Sequence, residues 1–358
     1  MTAGLAPSPT WAGSADVTIG PAGAARGIRT CACATRCWAV LAFLLRRLFF
    51  AAGTLILTAF FAYGTMRMLR PEQYPGQATV ADLFSDVDRA LLHLDFGGAC
   101  MFAGCPSIKR LWLDGIWADL MLLAGGVVLA IAFGVLGGLW CASRPRTRRA
   151  RALEWVATVL YCAPVYAVGF GLLLLFAPPF GLVQLPYFFD PDSYAPPLEN
   201  PWDFVRSMIL PWMVVGAPLG AAILRLTLAL SADTLGEDYV RTAAAKGVPH
   251  AAVVRRHAGP PTYVSVASLL AASAPFMVMN MVLVEYVFTI PGFFRHLRRA
   301  LGQAPGWPPN SKVPPIDVLT LQALALWASV LIVALGLLAD LAIVGLDPRI
   351  RASGDTIG

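Results

Sequence analysis

Glu237-Asp238-Tyr239-Val240-Arg241-Thr242-Ala243-Ala244-Ala245-Lys246-Gly247 is a polar, charged segment set between long apolar runs. Its residue types suit docking rather than bond-making. The small side chains of Ala243, Ala244 and Ala245 let another backbone approach closely, and Arg241, Lys246, Arg255 and Arg256 offer charge pairs. The same cations can meet anionic headgroups, so an interfacial amphipathic loop without a protein partner is the alternative. Side chains that make and break bonds are sparse. The histidines, His93, His250, His257 and His296, are scattered, and no nucleophile has an evident base partner. A metal site at Cys31, Cys33 and Cys37 would want a fourth ligand, and no further Cys or His lies nearby. Cys141 and Cys162 fall in apolar runs and read as packing residues. Cys100 and Cys105 lie in an outer segment where a disulfide can persist, either as a small bridged turn or as two free thiols.

The elements that hold the docking segment are membrane spans. The 358 residues are 58% hydrophobic and 13% charged, about half the charge of a soluble domain. A span needs roughly 20 apolar residues. Six are found, at about 48–66, 118–141, 153–177, 207–230, 262–285 and 318–343. The net charge of +6 follows the positive-inside pattern rather than marking a nucleic-acid binder. With the N-terminus inside, the inner segments hold 16 Lys and Arg and the outer ones 10. Both termini are therefore expected in the cytoplasm. The apolar run after Arg46-Arg47 lacks a small-residue cleavage site and reads as an anchor rather than a signal peptide.

Residues 1–37, rich in Ala, Gly, Pro, Ser and Thr, read as a disordered cytoplasmic tail, and 352–358 as a second tail, leaving 38–351 as the membrane domain. In the first outer segment, Val80–Leu94 carries a helical spacing of apolar residues. Seven prolines make 178–206 extended and irregular. Pro164, Pro211, Pro218 and Pro275 fall inside spans, where they bend a helix or are simply tolerated. Arg225, Glu285 and Asp340 sit near span ends, within reach of water, and no buried chain of Asp, Glu and His is expected. The inner segment 231–261 reads as two short helices bent at Gly247. Ser231 or Asp233 caps the first, Pro249 opens the second, and Gly259-Pro260-Pro261 ends it.

Glu237–Gly247, continued by Val253-Val254-Arg255-Arg256-His257-Ala258, resembles the coupling-loop signature of bacterial ATP-binding-cassette (ABC) importer permeases of the dipeptide/oligopeptide (nickel) family, first-permease-subunit type. Four further stretches resemble that family in order: Phe43–Leu48, Leu94-Asp95-Phe96-Gly97, Val284–Gly292, and Asp347-Pro348-Arg349-Ile350-Arg351. The resemblance implies an all-α integral membrane protein of the type I ABC importer kind. It has six transmembrane helices, lies in the bacterial plasma (inner) membrane, and imports peptides or similar small polar solutes.

The implied partners are a second homologous permease, two ATPase subunits and an extracytoplasmic substrate-binding protein, besides the lipid bilayer. The chain itself would be no enzyme. ATP and Mg would sit on the partner ATPases, in keeping with three lysines of which none lies in a Gly-x-x-x-x-Gly-Lys loop. Carried over by position, Glu237, Tyr239, Arg241, Ala243, Ala244, Ala245, Lys246, Gly247, Arg255, Arg256 and His257 form the ATPase-coupling contact. Glu285, Pro291, Gly292 and Arg295 are candidate entrance residues. The sequence departs from the family at Gly259-Pro260-Pro261, which cuts the second coupling helix short, and in Phe293–Leu301, which is more basic than usual. A stand-alone carrier would show an internal repeat with buried mid-membrane charges, and neither is visible in the sequence.

Overall fold

The computed structural model describes residues 24–69, 80–98, 106–176, 194–302 and 316–346. All regular structure among them is helical. Helix α1 runs Ala24–Leu69, α2 Val80–Leu92, and α3 Ile108–Ser143 with a π turn at Ala132–Leu136. Helices α4 (Arg148–Cys162) and α5 (Val165–Phe176) form a bent pair, and α6 spans Pro201–Leu235. The short α7 (Asp238–Ala245) precedes α8 (His250–Phe288), which contains a π turn at Val254–Ala258. A 3-10 turn at Phe294–His296 leads into α9 (Leu297–Ala300), and α10 covers Val318–Leu346.

Helix α6 is the hub, packing against α3, α4 and α8, while α10 bridges α8 to α1. The α3–α6 contact is close because both helices offer small residues. A Cβ on Gly216 would lie 2.5 Å from the Gly126 carbonyl oxygen, and one on Gly126 would lie 2.8 Å from Val215. In a bilayer the lipid tails are as apolar as the helix surfaces, so such van der Waals fit replaces the hydrophobic drive of a soluble core. Trp212 adds a tie across the same seam, its indole N–H donating to the Met121 carbonyl at 2.9 Å. Helix α2 lies on the end of α1, with Val87 and Ala90 packed on Ala59 and Tyr63. There the buried Arg67 guanidinium is paired with Asp86 and, at 3.6 Å, with Asp82.

Five helices are long and apolar enough to cross a membrane, or six if the bent pair counts as one span. The third expected span, 153–177, is thus not a single rod: α4 and α5 meet at 116°. Pro164 is the cause. It disfavours helical backbone at the residue before it, and Ala163 is extended at φ −73° and ψ 136°.

Three further expectations change. Residues 24–37, assigned to a disordered tail, are helical; they are Ala-rich, and no proline occurs between Pro21 and Pro71. Residues 201–206, assigned to an extended outer segment, form the first turns of α6. Pro201 sits in the first turn, where its missing N–H costs nothing, and the Asn200 side chain caps Trp202 and Asp203. Residues 231–235 continue α6, and Gly259-Pro260-Pro261 does not end a helix but lies inside α8. The π turn immediately before Gly259 loosens the hydrogen-bond ladder where the prolines supply no donors. Residues 347–351, like Cys100 and Cys105, lie outside the described residues.

Gly216→Val is expected to overpack the α3–α6 seam and lower stability by about 1–3 kcal/mol. Gly336→Ala, where an added Cβ meets nothing within 4 Å, serves as the neutral control. Thermal denaturation of the detergent-solubilised protein checks this, and equal melting of the two variants would refute the close seam.

Candidate functional site

The coupling segment begins where α6 ends. Gly236 and Glu237 turn back, their N–H groups bonding Asp233 and Thr234 carbonyls at 3.0 and 3.2 Å, and Asp238 opens α7 with an acid at its positive end. Arg241, Ala243 and Ala244 lie on α7, and Ala245 is its last residue. Lys246 N–H closes the final turn on the Thr242 carbonyl at 3.2 Å. Gly247 then takes φ +80°, the left-handed position that reverses a chain after a helix, with open space where a side chain would project. The expected bend at Gly247 is therefore present.

Glu237, Tyr239, Ala245, Lys246, Arg255 and Arg256 are exposed, whereas His257 is half-buried, with its ring 5.9 Å from that of Tyr239 in an edge-on contact. That contact fastens α7 to the π turn of α8. The π turn is anchored in turn: Val254 and Ala258 are buried with Ala142 of α3, against Leu139, Leu228 and Leu235. A polar, solvent-facing elbow is thus seated on the ends of three membrane helices. It presents cations and small residues outward and can pass force but perform no bond chemistry.

At the other end of α8 the chain makes a second constellation. Glu285, placed by the sequence near water, is 1% exposed, and Asp119 of α3 is fully buried beside it. These two acids hold the loop that follows α8. Phe293 N–H donates to Asp119 Oδ1 at 2.9 Å and Arg295 N–H to Glu285 Oε2 at 3.1 Å, while Trp327 of α10 donates its indole N–H to Asp119 Oδ2 at 2.6 Å. Only glycine fits at position 292, because a Cβ there would lie 2.2 Å from Asp119 Oδ1 and 2.4 Å from the Glu285 carboxylate. Thr289, which ends α8, is left-handed at φ 54°, costly for a β-branched residue. Its conformation is imposed by Ile290 N–H, which bonds the Glu285 carbonyl at 3.2 Å, and by the clamp beyond it.

The structure brings together Glu285, Gly292 and Arg295, with Pro291 half-buried between them, and keeps them the length of α8 away from the coupling residues. The expectation that Glu285 lies within reach of water is corrected: it is buried beside Asp119. Asp119 was missed although it lies inside the expected span 118–141, because it stands at the edge of the charge-free run that begins at Leu120, and Trp327 reads as one more apolar residue of the last span. A usable signal was there: Asp119 continues the stripe Gly115, Leu122 and Gly126, the buried face of α3.

The chain belongs to the family of binding-protein-dependent transport system inner membrane components, whose model matches residues 134–352. It is 30% identical over 254 residues to the probable peptide ABC transporter permease of Sinorhizobium fredii, covering 71% of this chain and 75% of that one. It is 26% identical over 245 residues to the glutathione transport system permease GsiC of Escherichia coli, covering 68% and 70%. With the corresponding protein of Pectobacterium atrosepticum it shares 27% over 240 residues, 67% and 69% of the two chains. The chain is accordingly a multi-pass inner-membrane permease subunit of an ABC importer and not an enzyme; ATP hydrolysis lies on partner subunits.

Trp327→Phe removes the donor to Asp119 and leaves a buried carboxylate oxygen short of a partner. A loss of about 1–3 kcal/mol is expected. Hydrogen exchange of the 290–296 loop should accelerate together with the fall in melting temperature. A destabilised bundle whose loop exchange is unchanged would show that the clamp does not hold the loop.

Proposed function

We propose that this chain carries peptides or similar small polar solutes across the inner membrane. It would do so with a second homologous permease, two ATPase subunits and an extracytoplasmic substrate-binding protein. The chain binds no nucleotide in this reading, and ATP and Mg are held by the ATPases. The peptide and glutathione permeases among its relatives support the substrate class. The observation that carries the mechanism is the seating of the elbow: α7 is fastened through Tyr239 and His257 to a helix that continues without a break to Phe288.

The proposed cycle follows from that geometry. An ATPase grips the exposed face around Glu237, Tyr239, Ala245, Lys246 and Gly247, flanked by Arg255 and Arg256. Arg241, Ala243 and Ala244 of the same short helix belong to that contact in this reading. Closure of the ATPase pair on ATP moves the elbow. Because Val254 and Ala258 are packed on α3 and α6, the motion passes into all three helices rather than bending a loop. The π turn is the compliant point, where the hydrogen-bond ladder is weakest. The other side of the bundle, where Glu285, Pro291, Gly292 and Arg295 meet, receives the motion and serves as the entrance.

Gly247→Asp tests the docking contact. Asp tolerates the left-handed backbone better than most residues, and the position is open, so the bundle should fold. In the reconstituted complex, ATP hydrolysis stimulated by loaded binding protein is expected to fall about tenfold or more, a lost coupling of about 1.4 kcal/mol. Ala244→Leu should act in the same direction. Undiminished stimulation in both variants would sink the assignment of this segment.

A further inference from the structure

The basic piece after α8 takes no part in coupling, yet the structure gives it a shape. Arg295, Arg298 and Arg299, with Glu285, Tyr286, Thr289 and His296, line a cavity of about 310 Å³ at the end of α8 remote from α7. The three arginines are exposed, and among the described residues no Asp or Glu forms an ion pair with Arg295 or Arg298. Arg295 and Arg298 are nevertheless positioned. The Arg298 guanidinium lies 5.8 Å from the Tyr286 ring centre, a cation–π contact that sets its direction. Arg295 is fixed through its backbone N–H on Glu285 and reaches His296 Nε2 at 3.5 Å with its own Nε.

Three arginines and Glu285 line the cavity, and the acids further back, Asp119 and Asp114, act on Arg295 and His296 respectively. His296 is pushed down to about 4, chiefly by burial and then by Arg295 and Arg299, so it is neutral at pH 7 and adds no charge of its own. Glu285 lies beneath the surface at 1% exposure, with its carboxylate engaged by the loop backbone. What a solute meets is the guanidinium rim. All three cations are arginine, whose planar fork matches a carboxylate with two parallel hydrogen bonds, where lysine would offer a point charge. The space is a concavity at the small end of ligand sites, which run from roughly 300 to 1,000 Å³. It admits one end of a small solute rather than the flat acidic surface of a protein.

We propose that this cavity is a carboxylate-binding subsite for the transported solute, with Arg295 and Arg298 as its principal donors and Arg299 completing the rim. It rests on the peptide-importer reading and adds to it a required chemical group: a free carboxylate, as at the C-terminus of a short peptide. Solutes with that end masked lose the contact.

The complete permease–ATPase complex in nanodiscs, without binding protein, is titrated with tritiated alanyl-alanine and with its C-terminal amide. The wild type should bind the free acid about tenfold or more tightly than the amide. The double variant Arg295→Gln/Arg298→Gln should reduce that ratio to near one, and Arg298→Lys should retain part of it. Both residues are exposed, so folding is preserved, with the melting temperature as control. A wild type that binds acid and amide equally, or a double variant that keeps the full ratio, overturns the subsite. Loss of binding-protein docking in the double variant with an unchanged acid-to-amide ratio also overturns it and assigns the cations to an acidic partner. A wild type that takes up peptide in proteoliposomes without acid preference fails the subsite alone. One that neither binds nor takes up any peptide fails the substrate class and the subsite together.

Discussion

Helices in a lipid bilayer gain nothing from hiding apolar surface from one another, because lipid hides it equally well. Everything in this bundle that must be rigid therefore depends on backbone fit, and the fit is made at the seam between α3 and α6. Gly126 and Gly216 bring the two backbones together, and Trp212 ties the seam with a hydrogen bond. Helix α4 and helix α8 then pack against α6, and α10 packs against α8. Removing the small residues would leave the outer helices with nothing fixed to lean on. The elbow, too, is only as firm as the ends of α3 and α6 beneath Val254 and Ala258.

A second constraint governs the loop after α8. Backbone N–H groups buried away from water must find acceptors in the protein. Asp119 and Glu285 supply them for Phe293 and Arg295. The acids pack against the glycine at position 292, and the loop folds down over them. This explains why two buried acids belong here without a proton pathway: they act as acceptors that set the loop's height over the bundle. It also separates the polar groups of this end into two layers, acids below and guanidiniums above.

Much of the fold was legible in the sequence because membrane spans are a coarse signal. Apolar runs gave the spans, and the spacing of Leu83, Val87 and Leu91 gave α2. The bend at Gly247 was legible because a left-handed residue after a run of alanines has few alternatives. What the sequence did not disclose was how proline would act. Pro164 breaks the third span, Pro211 and Pro218 lie inside a continuous helix, and Pro260-Pro261 lie inside α8, just past its π turn, where termination was expected. The residue type is the same throughout; what differs is whether a neighbouring helix or a π turn absorbs the missing donor. Asp119 and Trp327 are 208 positions apart, and no local pattern could join them. The coupling residues were assigned by their resemblance to a family motif; the clamp needed three dimensions.

The continuity of α8 through its π turn has a mechanical meaning. At 1.5 Å per residue, its 39 residues reach about 58 Å. About a fulcrum midway along a rod of that length, a tilt of about 10° moves each end by roughly 5 Å. In the proposed cycle the π turn would yield at the elbow, and the bundle would need no stretching along the rest of α8 to open a gap for a small solute. It needs a fulcrum, and the α6 contact with α8 stands between the two ends to provide one.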